Sequence, residues 1–284
     1  MQIQKSFKQE LACLYLVATP IGNLDDMTPR AVETLRLVDI IAAEDTRHTK
    51  KLCRHFEIET PLTSYHEHNK NSKGEYILQL LREGKEIALV SDAGLPCISD
   101  PGYEIVQTAI EAGYAVIPIP GANAALTALI ASGLVPQPFI FYGFLNRVKS
   151  KKKKELEELK YQPYTTLYYE SPHRIKETLT IMQEILDNRQ VVIARELTKQ
   201  YEEFIRGSIS ECIEVADELK GEIVLIVEGS TEKKADIIWW QELEIDQHVK
   251  HYLDQGYKTS ESIKKVAKER GVAKNEVYRE YHVN

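Results

Sequence analysis

Val90-Ser91-Asp92-Ala93-Gly94-Leu95-Pro96-Cys97-Ile98-Ser99-Asp100-Pro101-Gly102 is the stretch on which the reading of this chain turns. An apolar run, Ile87–Val90, leads into it and has the unbroken hydrophobicity of a parallel strand covered on both faces. Helical spacing of Ile105, Val106, Ala109 and Ile110 begins just past Gly102. The stretch is therefore a loop at the carboxyl end of a strand, where open α/β sheets bind ligands. Gly94 and Gly102 allow close backbone approach or positive φ. Pro96 and Pro101 stiffen the loop and remove two N–H donors, and Asp92 and Asp100 add acceptors. A simple turn capped by Asp would use the same residues.

Upstream, the pattern of strand followed by polar loop recurs. Leu14–Ala18 reads as a buried strand that breaks at Thr19-Pro20-Ile21-Gly22-Asn23-Leu24. The three spaced glycines of a dinucleotide fingerprint are missing, which argues against NAD. Asp25, Asp26 and Thr28 offer N-caps, with Pro29 near the first turn of a helix over Arg30–Leu37. A second strand, Asp39–Ala43, ends at Glu44-Asp45-Thr46-Arg47-His48. Glu44 or Asp45 could take a proton there, and Arg47 could hold a phosphate or carboxylate. Thr46 and Lys50 read as a cap and a solvated lysine. In Thr63–Asn69 the histidines His66 and His68 alternate along an extended piece. A metal would need a third ligand that nothing marks, so this is expected to be a polar loop facing substrate. A helix over Gly74–Glu83 follows.

Downstream, the strand Ala115–Ile119 ends at Pro120-Gly121-Ala122-Asn123-Ala124-Ala125. Small residues opening a helix let a flat ligand lie against backbone, and they equally permit close helix–sheet packing. Phe139–Gly143 is expected to be the last strand of a first domain spanning residues 1–145. Arg147, Lys149 and Lys151–Lys154 form the densest basic run, read either as phosphate contacts or as a solvated linker or helix start. A second α/β set over 146–230 begins with the strand Thr165–Tyr169, ending in Glu170-Ser171-Pro172-His173-Arg174, and the helix Ile175–Leu186. Val191–Ala194 runs into Arg195-Glu196-Leu197-Thr198-Lys199. Tyr201–Ser208 looks extended, Ser210–Leu219 helical, and Gly221-Glu222 introduces the strand Ile223–Val227.

Thr231–Asp236 is polar and reads as a linker. Residues 237–284 carry no strand pattern. Helices are expected over Ile237–Asp254, Ser260–Arg270 and Asn275–Tyr281, and Ile263–Arg279 reads like a helix-turn-helix or a small helical packing module.

Composition bounds these readings. The chain has 284 residues, 43% hydrophobic and 28% charged, which suits a soluble protein of two domains. A net charge of −7 argues against a uniformly basic nucleic-acid coat while leaving room for a local basic patch. Cys13, Cys53, Cys97 and Cys212 are scattered, so neither a disulfide framework nor a zinc site is expected, and a reducing cytoplasm fits. The first ten residues lack the apolar core of a signal peptide. No apolar run is long enough to span a membrane.

Taken in order, Leu14–Asn23, Glu44–Arg47, Ser91–Gly102, Pro120–Ala124, Glu170–Arg174, Ala194–Glu203 and Gly221–Gly229 resemble the tetrapyrrole methylase superfamily. Within it they are similar to the branch that 2′-O-methylates a cytidine of 16S ribosomal RNA. Leu95, Asn123 and Asn146 stand where that pattern usually has Thr, Ser and Pro. The resemblance implies two α/β domains with a cleft between them, plus a small C-terminal helical module like a helix-turn-helix. It also implies S-adenosylmethionine as cofactor, no metal, a homodimer and 16S rRNA or the small ribosomal subunit as partner. The cofactor set is then Pro20, Ile21, Asp92, Ala93, Gly94, Leu95, Ile98, Asn123, Ala124, Glu170, Glu222 and Ile223. RNA contacts are expected from Arg47, Arg147, Lys149, Lys151, Lys152, Lys264, Lys268 and Lys274.

Methyl transfer from a sulfonium is an in-line displacement, so the protein chiefly aligns the reacting atoms. A ribose hydroxyl still has to lose its proton, which calls for a base or a cation beside the developing alkoxide. Asp45 and His66 are the preferred proton acceptors, and Arg195 and Lys199 the preferred cations. Asp100 and Glu196 are further candidates, and the sequence does not choose among them. Two rivals remain. A tetrapyrrole methyltransferase would share the cleft without needing the basic run or the terminal module. A non-catalytic RNA-binding protein would keep both and not bind S-adenosylmethionine.

Overall fold

The computed structural model describes residues 3–7, 11–232, 240 and 243–283. The chain divides into two compact units, Met1–Glu232 and Lys233–Asn284.

The larger unit holds two five-stranded sheets. The first contains β1 (Cys13–Val17), β2 (Ile40–Ala43), β3 (Leu62–Ser64), β4 (Ile87–Val90) and β5 (Ala115–Ile119) in the order β3-β2-β4-β1-β5. All its pairings are parallel. Alternate side chains go to opposite faces, as the strand period of two requires. Cys13 and Val17 join α1 (Pro29–Leu37) and α2 (Thr46–His55) through Leu35 and Leu52. Leu14 instead packs with Ile77 of α3 (Lys70–Arg82) and Ile105 of α4 (Tyr103–Glu111). The helix starts follow local chemistry. Thr28 Oγ1 accepts the Ala31 N–H at 3.1 Å with Pro29 in the first turn, and Asp45 Oδ1 accepts the Arg47 N–H at 2.8 Å.

The second sheet contains β6 (Phe139–Phe144), β7 (Thr165–Glu170), β8 (Gln190–Arg195), β9 (Glu203–Ser208) and β10 (Ile223–Val227) in the order β6-β7-β10-β8-β9. It is mixed: β6 runs parallel to β7, and the other pairings are antiparallel. One face is covered by α6 (Lys149–Leu159), α7 (Ile175–Leu186) and α8 (Ile209–Val215), through Leu156, Leu179 and Cys212 among others. The other face packs on α5 (Ala124–Ser132), whose Ala125, Ala128 and Leu129 meet Leu167, Val192 and Val224. Because α5 starts at the carboxyl end of β5, this contact seats the strand ends of the first sheet beside the second.

Several expectations need correction. Phe139–Gly143 is not the last strand of the first sheet. It pairs with Thr165–Glu170 across the helical crossover α6, so β6 opens the second sheet and the expected boundary at 145 falls after that strand. Of the readings open for the basic run, the structure has the helix start: Lys149 and Lys151–Lys154 form the first part of α6, and Arg147 precedes it. The helix expected from Gly74 already begins at Lys70, and Ser210–Leu219 is a short α8 followed by a 3-10 turn over Ala216–Glu218.

In the smaller unit α9 (Ile245–Asp254), α10 (Thr259–Arg270) and α11 (Lys274–Val283) enclose Val249, Tyr252, Ile263, Val266, Ala267 and Val277. Gly271, at φ +66°, ends α10 in the left-handed conformation that favours glycine. Buried His248 accepts a hydrogen bond at Nδ1 from Arg270 Nε and sets Nε2 2.9 Å from Glu269. The first of these helices, expected from Ile237, begins at Ile245, after Glu244 as its N-cap; residues 233–239 and 241–242 lie outside the described residues.

Candidate active site

The strand-end loops of both sheets meet around a cavity of about 400 Å³. From the first sheet come Ile21, Ala93, Gly94, Leu95, Ile98, Asn123 and Ala124; from the second come Glu170, Glu222 and Ile223. Of the cofactor residues expected from sequence, only Pro20 and Asp92 stand elsewhere. They line a second cavity of about 440 Å³ with Thr19, Gly22, Leu24, His48, Leu52 and Lys199. The two cavities adjoin, sharing Ile21, Ala93 and Glu222.

Backbone contacts set the loops around the first cavity. Thr19 and Gly94 exchange hydrogen bonds of 2.9 and 3.0 Å, which lash the loop after β1 to the loop after β4. Gly94 has φ +79°, so any side chain there is strained. A Cβ on Gly121 would stand 2.7 Å from that of Ala18, which is why the α5 entry uses glycine. Asn123 caps α5, its Oδ1 accepting the Leu126 N–H at 2.9 Å. Cys97 and Ser99 after β4, and Glu196 and Thr198 after β8, are non-glycine residues at positive φ. Strained backbone of this kind gathers at functional loops.

The electrostatics are uneven. Asp100 lines the first cavity, and burial, together with Glu44 and Asp92, pushes its carboxyl up to about 7. Burial, and then Asp92, also raises Glu44. Lys199 sits on the wall of the second cavity, with Nζ 2.9 Å from Glu196 Oε1 and 3.0 Å from Glu222 Oε2. Burial works against its charge, but those two hydrogen bonds outweigh it and hold the amine above the ordinary lysine value.

The other candidates are not brought to either cavity. Arg195 lies along the β8–β9 pairing, with Nε on Glu203 and Nη1 on the Lys220 carbonyl. Asp45 caps α2 and is held by Arg47, whose side-chain and backbone hydrogen bonds push the carboxyl far below the carboxylate range, leaving a poor base. His66 is tied to Asn69, with Nε2 3.2 Å from Nδ2, and its Nδ1 is buried without a hydrogen-bond partner.

Of the expected RNA contacts, Arg47, Arg147, Lys149, Lys151, Lys264, Lys268 and Lys274 are exposed. Lys152 is not. It is fully buried against Glu177 and Thr178 and does not face RNA. The sequence reading gave no role to His48, Tyr169 or Leu197, which also line the cavities. Each lies in or beside a strand-end cluster already singled out. Among the described residues no group of three metal-binding side chains gathers, and no helix is long and apolar enough to cross a membrane.

An apolar cavity with a left-handed glycine in its wall and a carboxyl on one side suits a cationic, nucleoside-bearing ligand. Comparison with known proteins agrees. The family model described as Tetrapyrrole (Corrin/Porphyrin) Methylases matches residues 13–213. The "Ribosomal RNA small subunit methyltransferase I" of Bacillus subtilis is 60% identical, over 99% of this chain and 98% of its own length. That of Synechocystis is 45% identical, over 94% and 96%. Among solved structures, a cobalt precorrin-4 methyltransferase of cobalamin biosynthesis aligns with TM-score 0.59 at 18% identity, over 76% of this chain and 94% of that one. A diphthine synthase gives TM-score 0.59 at 13% identity, over 76% and 90%. These two likenesses establish the fold alone. The chain belongs to the tetrapyrrole methylase family and, within it, to the group of the ribosomal RNA small subunit methyltransferases I. It is an S-adenosylmethionine-dependent methyltransferase.

Proposed function

We propose that the chain methylates the 2′-hydroxyl of a cytidine ribose in 16S ribosomal RNA, working as a homodimer in the cytoplasm. The observation that carries this reading is the pair of adjoining cavities. One is mostly apolar; the other has a pinned lysine on its wall. They suit a methyl donor and an acceptor meeting at Ile21, Ala93 and Glu222. The names of the full-length relatives support the substrate.

When bound, S-adenosylmethionine supplies an electrophilic methyl group on a sulfonium. Ala93, Gly94, Asn123 and Ala124 would hold it, and the Asp100 carboxyl favours a cation there. Lys199 Nζ stabilises negative charge growing on the ribose O2′. His48, which also lines the second cavity, is placed to take the hydroxyl proton. Asp45, His66 and Arg195 have no part in this scheme, because none of them lines a cavity. RNA phosphates are met by Arg47, Arg147, Lys149 and Lys151 on the larger unit and by Lys264, Lys268 and Lys274 on the smaller. The homodimer reading is supported by Leu126 and Ile130 of α5 and by Val135, apolar residues left 48%, 81% and 66% exposed. The cytoplasmic reading is supported by four cysteines that are all free thiols.

The test is methyl transfer from labelled S-adenosylmethionine to small-subunit particles, free 16S rRNA and precorrin-type acceptors. Label in a cytidine ribose supports the proposal. Label only in a tetrapyrrole, or none in any acceptor, overturns it.

A further inference from the structure

The basic helix α6 exposes Lys149 and Lys151 and turns the next residue inward. The Lys152 side chain is fully buried, one helical turn before Leu156, also fully buried. A buried ammonium is tolerated only where it is paired and hydrogen-bonded. Lys152 Nζ donates to Glu177 Oε2 at 3.2 Å and to Thr178 Oγ1 at 3.0 Å. Thr178, itself fully buried, passes the interaction on: its hydroxyl donates to Glu170 Oε2 at 2.6 Å. The other Glu170 oxygen accepts the Ser171 N–H at 2.9 Å and lies 3.4 Å from Arg174 Nε. Arg174 Nη2 in turn donates to the Leu145 carbonyl at 2.9 Å.

The far end of this chain is the wall of the first cavity, which Glu170, Ser171 and Pro172 form together. A buried ionic network adds little stability over an apolar replacement of the same shape, and one use of it is to fix a geometry. What is fixed here is a strand end against the ligand space. Arg174 and the Ser171 N–H hold one carboxylate oxygen of Glu170, while Lys152, acting through the Thr178 hydroxyl, holds the other. We propose that Lys152 and Thr178 are positioning residues of the cofactor cavity. They act through Glu170 to keep the Glu170–Pro172 wall in the shape that accepts S-adenosylmethionine. This rests on the first cavity being the cofactor site. It gives the basic helix two separate jobs: exposed lysines toward RNA, and one buried lysine toward the cofactor.

Thr178→Val keeps the side-chain shape and removes the hydroxyl that joins the two ends. Lys152→Met removes the ammonium. Both are made in the full chain, alone and together, with Leu156→Ala as a control for general loosening of α6. Titration calorimetry with S-adenosylmethionine, steady-state kinetics and filter binding to 16S rRNA are compared. Each single variant is expected to raise the Kd and KM for S-adenosylmethionine about tenfold, the scale of one lost hydrogen bond to a charged group. The double variant should be no worse than the weaker single, because both cut the same chain. At saturating cofactor kcat stays within a few-fold, and RNA affinity and its salt dependence are unchanged. Leu156→Ala should lower the Tm without this KM shift. The proposal is overturned if folded Thr178→Val binds the cofactor as wild type does, or if the two losses simply add. It is also overturned if Lys152→Met weakens RNA binding with a shallower salt dependence, which restores the phosphate contact. If Lys152→Met does not fold, Thr178→Val decides alone. A wild-type chain that does not bind S-adenosylmethionine removes the cofactor reading and this one with it. A wild type that binds beside unaffected variants removes only this one.

Discussion

Asp92 Oδ1 accepts the backbone N–H of Asp45 at 3.0 Å, and so ties the carboxyl end of β4 to that of its sheet neighbour β2. The exchange between Thr19 and Gly94 ties the same loop to β1 on the other side. Three strand ends therefore form one braced rim, and both cavities open on it. Asp92 serves this rim from the second cavity, while Gly94 serves it from the first.

Cutting the brace should be felt by the cofactor. Asp92→Ala leaves the Asp45 N–H without its acceptor, which costs about 1–3 kcal/mol where water cannot replace it. Gly94→Val forces a branched side chain into φ +79°, with Cβ about 3.4 Å from Ile21 Cγ2, a strain on the order of 1–3 kcal/mol. Both variants should stay folded, melt lower and bind S-adenosylmethionine more weakly by calorimetry. Wild-type affinity in both would sink the placement of the cofactor at this loop.

In the proposed scheme Lys199, on the wall of the second cavity, is the cation beside the acceptor. Lys199→Met leaves Glu196 and Glu222 without their shared partner and removes the only charge we assign to the developing alkoxide. Single-turnover rates at saturating cofactor and RNA should fall about a hundredfold, the usual loss for one preorganised electrostatic group, with cofactor affinity kept. Arg195→Ala and Asp45→Ala should stay within a few-fold of wild type, since neither side chain lines a cavity. A Lys199→Met rate close to wild type, or a larger loss in Arg195→Ala, would reverse the assignment.

Asp100 makes stability depend on pH in an unusual direction for a carboxylate. Its folded value, about 7, lies above the ordinary 3.8. Between those values the folded chain holds a proton that the unfolded chain has lost, so this group lowers stability as pH rises from about 4 to about 7. Asp100→Asn removes that dependence. It should raise the melting temperature at pH 8 and change it little at pH 4. Equal shifts at both pH values would mean that the effect is not one of titration.

The strands were readable because strands buried on both faces are unbroken apolar runs; Ile87–Val90 and Ile223–Val227 stand where the pattern put them. Which sheet β6 joins was not readable, because its partner Thr165–Glu170 lies beyond a helix and no local pattern names it. Lys152 looked like its neighbours, and only its helical phase with Leu156 and Leu159 set it apart. At the site, proximity to a strand end was legible, but side-chain direction was not. Arg195 ends β8 and Lys199 lies in the loop after it; the left-handed turns at Glu196 and Thr198 separate them, sending Lys199 to the cavity wall and leaving Arg195 on Glu203.

The terminal helices offer the test most independent of the cavities. Their core closes around Val266 and Val277, while Lys264, Lys268 and Lys274 stay exposed. If these lysines meet phosphates, each neutralised charge releases counterions, and the slope of log affinity against log salt falls by about 0.7–0.9 per contact. Replacing all three by Gln in the full chain should weaken RNA binding and flatten that slope by about 2–3, leaving S-adenosylmethionine affinity untouched. Removing Thr231–Asn284 should go further on RNA and still spare the cofactor, because Met1–Glu232 is a compact unit that contains both cavities. An unchanged salt slope in the triple variant, with RNA bound as well as by wild type, would make the terminal unit a structural appendage and leave RNA recognition to the basic face of α6.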